Sequence, residues 1–152
     1  MPNLIETISY KEAMHIVDAI VQRASEDGGE PIAVAVVGAA ARLVCFSAMD
    51  GVMQASIRLS QSKAYSAVIG RRDTKCWASM AKHPTVLDFD MRNWTDNDFT
   101  GFTGGVVLRV GDRVAGGIGV SGRKGTMGPE DQLLQDVELA SLGRQAFESL
   151  IA

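Results

Sequence analysis

The stretch VVLRVGDRVAGGIGV, residues 106–120, decides the fold. Two apolar runs flank Gly111-Asp112, and a two-residue Gly-containing link between such runs predicts a β-hairpin. Gly116, Gly117 and Gly119 weaken the second strand unless something must approach its backbone closely. Upstream, IAVAVV (32–37), GAAAR (38–42) and LVCFSA (43–48) read as a second hairpin with a slightly longer turn. Strands that come in pairs argue for an antiparallel sheet and an α+β chain, not a doubly wound one.

Helices fill the rest. Ser9 with Glu12 fits a capping box, and Ile8 and Ala13 are placed for a hydrophobic staple. Ala13, Ile16, Val17, Ile20 and Ala24 then form one apolar stripe, ending near Asp27 where Gly28 and Gly29 permit a left-handed exit. A second helix is expected over about Val52 to Ile69, stopped by Gly70. A short third one is expected over about Lys75 to Ala81, opened by Asp73 or Thr74 and closed before Pro84. Pro129, Glu130 and Asp131 suit the start of a final helix burying Leu133, Val137, Ala140, Phe147 and Ile151. Residues 84–103 show no sustained period yet hold Phe89, Trp94, Phe99 and Phe102. They read either as a lid over a ligand or as a loop packing its own aromatics. The predicted order is α-β-β-α-α-loop-β-β-α, with residues 1–152 forming one domain.

Composition narrows the function classes. The chain has 152 residues, 46% of them hydrophobic and 22% charged, which is ordinary for a globular domain. A net charge of -3 without a basic block gives no footprint for nucleic acid. The start, MPNLIETISYKEA, has no signal-peptide pattern, and no apolar run is long enough to span a bilayer. Cys45 and Cys76 form no metal-ligand spacing, so a reduced cytoplasmic setting is the expectation.

Chemistry concentrates at few positions. At 100° per residue, Lys63 shares an inward stripe with Val52, Ser56, Leu59, Ser60 and Ala67, while Arg58, Gln61, Ser62 and Tyr65 point outward. A buried ammonium needs an anion or a lowered pKa. Asp50 and Asp131 are the candidate partners, and the lysine can equally be a fold-holding ion pair or serve a ligand. Gly119-Val120-Ser121-Gly122 could turn backbone N–H groups toward a ligand, or simply form a tight turn. It is neither a P-loop nor a nucleophile elbow. His15 and His83 are the two histidines, too few for a three-histidine metal site. His15 lies about 200° from Ala13 on the first helix and so faces outward, with Asp18 as its neighbour.

Taken together, AVAVVGAAARLV, SAMDGVMQASIRLSQSKAYSA, Gly104-Gly105 and VAGGIGVSGRKGTMGPEDQLL resemble the GlcG/HbpS-like family of small haem-binding or haem-degrading-protein-like domains. Met49-Asp50-Gly51, Ser56, Lys63, Ala64, Gly119-Val120-Ser121-Gly122 and Asp131 match the family's pattern. Gly38, Ala41 and Ala48 replace its usual Asp, Gly and Arg. The resemblance implies a profilin-like sheet flanked by helices and a homo-oligomer, with many members standing beside catabolic genes. It also implies a small-molecule ligand, haem or a related tetrapyrrole, for which His15 is an available axial ligand. The alternative is an enzyme acting on an organic acid or aromatic compound. Lys63, Asp50 and Asp131 are then the catalytic candidates, and Ser60, Trp94, Gly119, Ser121 and Gly122 complete the pocket with Lys63.

Overall fold

In the computed structural model, which describes residues 4–82, 96–123 and 134–152, the capping box at Ser9 is formed on both sides. Ser9 Oγ accepts from the Glu12 N–H at 3.2 Å, and the Ser9 N–H donates to Glu12 Oε2 at 2.8 Å. Helix α1 (Tyr10–Glu26) buries Ala13, Ile16, Val17, Ile20 and Ala24, the stripe read from the sequence. It ends at Asp27, and Gly28 follows with φ +70°.

Strands β1 (Ala33–Gly38) and β2 (Leu43–Ala48) pair antiparallel, as do β3 (Gly105–Val110) and β4 (Arg113–Ser121). Gly111 turns the second hairpin at φ +62°. Antiparallel pairing of β1 with β4 joins the hairpins into one sheet of order β2-β1-β4-β3. Helices flank this sheet, and the order of elements is the one predicted.

Side-chain alternation along the strands makes two layers of core. Val34, Val36, Val106, Leu108, Ile118 and Val120 pack with Ile16, Ile20, Leu139 and Phe147 of α1 and α4 (Asp136–Ile151). Ala35 and Val37 pack with Ala64 and Val68 of α2 (Gln54–Gly70) on the opposite face. The glycines of β4 explain how α2 fits. A Cβ on Gly119 would collide with the carbonyl oxygen of Ser60, and one on Gly117 would stand 2.7 Å from that of Ala64. The close approach is between helix and sheet backbones.

Several boundaries differ from expectation. α2 stops one residue later than expected, with Arg71 rather than Gly70 in the left-handed conformation at φ +57°. Gly70 is needed for space: a Cβ there would lie 2.8 Å from Trp77 Cζ2 of α3 (Lys75–Lys82). α3 begins at Lys75, directly after Thr74, as expected, while the side chains of Asp73 and Thr74 also reach β3 and α4. Asp73 accepts from the Val107 N–H at 3.0 Å and from Arg144 at 2.8 Å, while Thr74 Oγ1 accepts from the Gly105 N–H at 2.9 Å. α4 begins at Asp136, since Gln135 before it is extended at ψ 174°; the expected start at Pro129-Glu130-Asp131 lies outside the described residues. Its buried face is Leu139, Ala140, Gly143 and Phe147, whereas Val137 is half-buried, Ile151 is exposed and Leu133 is not described. Packing on α1 sets that phase, because Gly143 sits directly against Ile16 and Ile20.

Candidate functional site

Lys63 points inward and is 2% exposed. Its Nζ donates to the Val120 carbonyl at 2.8 Å and to Asp136 Oδ2 at 3.1 Å. Asp136 Oδ1 in turn accepts the Arg123 N–H at 2.9 Å. One carboxylate at the start of α4 thus ties α2 to the end of β4. Burial pushes the Lys63 ammonium below its usual 10.5, while Asp136 opposes that shift by charge and hydrogen bond. Asp136, rather than Asp50, is the counter-ion, and Asp50 is exposed. Asp131 lies outside the described residues. The signal that could have found Asp136 was its place three residues before the first buried leucine of α4, but only with the correct helix start.

The other candidates around Lys63 are mostly enclosed. Ser60 is fully buried and its hydroxyl donates back to the Ile57 carbonyl at 3.0 Å. Ser121 is 3% exposed, and Gly119 faces the α2 backbone. Gly122 holds φ +142°, where a Cβ would collide with the Pro31 carbonyl. Trp94 lies outside the described residues. A second buried ion pair, unremarked in the sequence, closes the same end of the molecule. Arg123 Nη2 and Nη1 each donate at 3.0 Å to Asp27, from β4's exit to the end of α1.

His15 stands exposed on α1, on the outward side expected, with Asp18 also exposed. Beside it, Met14 Sδ and Cys45 Sγ are 3.4 Å apart across α1 and β2. Burial pushes the Cys45 thiol up from its usual 9.0, so it is no ready thiolate. Among the described residues no three His, Cys, Asp or Glu side chains gather as a metal site.

An open pocket of about 420 Å³ lies on the α2 side of the sheet. Val37, Ala41 and Leu43 give it an apolar floor, and Arg58, Gln61, Ser62 and Tyr65 of α2 form a polar wall. Asp98 closes the rim and bonds Arg58 at 2.8 Å. Tyr65 donates to Asp96 at 2.6 Å, and that bond to a carboxylate, with burial, pushes its hydroxyl up to about 12. Sequence reasoning gave this face of α2 to solvent. It becomes a wall only because residues 96–100 cross over it, a placement no local period encodes.

Known proteins share this architecture. The sequence pattern of the haem degrading protein HbpS-like family matches residues 8–134. The chain belongs to that family. This HbpS-like chain is similar in structure to the Klebsiella pneumoniae protein ORFY, at TM-score 0.81 and 23% identity, covering 97% of this chain and 95% of that one. It is also similar to PduOC, solved as a complex with haem, at TM-score 0.75 and 22% identity, covering 92% and 94%. A doubly substituted HbpS of Streptomyces reticuli aligns at TM-score 0.73 and 23% identity, covering 95% and 89%. At these identities the likeness is one of fold. No curated protein sequence matches the chain.

Proposed function

We propose that this HbpS-like chain is a ligand-binding unit that takes haem or a related tetrapyrrole on the outer face of α1, where His15 would hold it. The observation that carries the reading is the exposed imidazole at the middle of a rigid, capped helix in a chain of this family. The similarly folded PduOC, crystallised as a complex with haem, supports the same direction. A ring nitrogen of His15 would hold the iron, and Asp18 three residues on can orient the other nitrogen. Lys11, exposed one turn earlier, would supply a cation for a propionate. Bound there, haem would supply iron-centred ligand and redox chemistry at a solvent-accessible or intersubunit position.

The enzyme alternative built on Lys63 is less well supported. Its ammonium is already engaged by Asp136 and the Val120 carbonyl, and Asp50 stands apart in solvent. Among the described residues no helix is long and apolar enough to cross a membrane.

The test is a haemin titration followed in the Soret band, comparing wild type with His15→Ala and His83→Ala; His83 lies outside the described residues. Loss of the Soret shift in His15→Ala alone is the expected result. Equal shifts in all three proteins would overturn the assignment.

A further inference from the structure

The pocket beside α2 is separated from His15 by the sheet, since α1 and α2 cover opposite faces. At its mouth, Arg58 Nη2 and Asp98 Oδ1 lie 2.8 Å apart, with side chains 74% and 56% exposed. An exposed ion pair adds little stability, so exchanging its partners costs little. The pair is nonetheless held in place. The Asp98 N–H donates to Asp96 Oδ1 at 3.0 Å, Asp96 Oδ2 accepts from Tyr65, and the Thr100 N–H donates to Ser66 Oγ at 2.8 Å. Phe99 sets its ring edge-on to Trp77 with centroids 5.3 Å apart. Both flanks of Asp98 are thus fastened to the helical layer. On the floor, Ala41 adopts φ +60°, a conformation unfavourable for a residue with a Cβ. That conformation belongs to the β1–β2 turn, where the Ala41 N–H donates to the Gly38 carbonyl at 2.9 Å, and it fixes the edge of the floor.

We propose that this pocket binds a free α-amino acid with an apolar side chain. Its carboxylate would take Arg58, its ammonium Asp98, and its side chain the floor of Val37, Ala41 and Leu43. Charge decides for a zwitterion. A simple acid would capture Arg58 and leave Asp98 with water alone, and a simple amine would do the reverse. A zwitterion replaces one ion pair with two. Among the described residues the floor has no charged side chain to receive a polar group, and about 420 Å³ accommodates a branched or aromatic side chain.

Calorimetric titration with L-phenylalanine and L-leucine tests the proposal, with 3-phenylpropanoate and 2-phenylethylamine as single-charge analogues. The expected result is saturable binding of at least one amino acid at one per chain, with both analogues at least tenfold weaker than L-phenylalanine or failing to bind. Arg58→Met and Asp98→Asn should each weaken the amino acid at least tenfold while keeping the wild-type melting temperature, because both side chains are exposed. His15→Ala should leave this binding unchanged, which separates it from the haem reading. Absence of saturable binding for both amino acids, analogues that bind as tightly as the zwitterion, or affinity unaltered in either pocket variant would overturn it.

Discussion

A buried lysine keeps its charge only while its hydrogen bonds are made, and Lys63 has both Asp136 and the Val120 carbonyl. Lys63→Met removes the burial cost of the ammonium but strands Asp136, whose side chain is 15% exposed. The expected loss is about 3–5 kcal/mol in denaturant unfolding. Adding Asp136→Leu should recover part of it, because no charge is then left alone. A double variant no more stable than Lys63→Met would contradict this account. The Lys63 shift also has a pH consequence. Its folded value lies below 10.5, so the unfolded chain binds the extra proton and this group's contribution to stability rises as pH climbs toward 10.5. Asp27 acts at the other end of the scale. Burial alone would raise it, but hydrogen bonds and charge from Arg123, with backbone N–H donors, outweigh burial and hold it below its usual 3.8. Its stabilisation is therefore present above 3.8 and lost as pH falls through the lower folded value. Asp27→Asn should cost about 3–5 kcal/mol near neutral pH, with Arg123 left buried beside an uncharged amide. The variant's loss should shrink in acid; a pH-independent loss would show that packing, not charge, is at stake.

At the scale of elements, the contact of α2 with β4 is set by what glycine lacks. Gly119→Ala drives a methyl into the Ser60 carbonyl, which is helix backbone and cannot swing aside. The cost should reach about 3 kcal/mol, the upper part of the usual range for overpacking. Gly111→Ala is the contrast, because nothing lies within 4 Å of its Cβ and only the left-handed φ of +62° is strained. That change should cost about 1 kcal/mol. Chemical unfolding of the two variants compares them directly, and equal losses would mean that α2 lifts from the sheet at little cost. The same logic governs Gly70, whose empty Cβ position admits Trp77.

For the whole molecule, exposed apolar side chains bear on assembly. Leu4, Ile5 and Ile69 line one open groove, and Met53 and Phe102 are also exposed. We read these as surfaces for other copies of the chain, and therefore expect a homo-oligomer. Sedimentation at micromolar concentration should give a species well above 16.2 kDa, and a monomer at that mass would rule this out.

How much was legible in the sequence follows from the range of each interaction. Capping at Ser9, the five-residue stripe of α1 and the tight turn at Gly111 depend on residues a few positions apart, so local pattern determined them. Paired apolar runs determined an antiparallel sheet in the same way, and the 3.6-residue period turned Lys63 inward and His15 outward. Partners were different. Asp136 lies 73 positions from Lys63 and Asp27 lies 96 from Arg123. Which carboxylate meets which cation depends on where α4 begins and how the strands cross, and no local period encodes either. The wall of Arg58 and Tyr65 likewise became a pocket only when residues 96–100 folded across α2. Sequence alone determined the order of the elements and the facing of α1 and of Lys63; tertiary packing decided the phase of α4, the counter-ions and the cavities, because those are properties of surfaces brought together from distant parts of the chain.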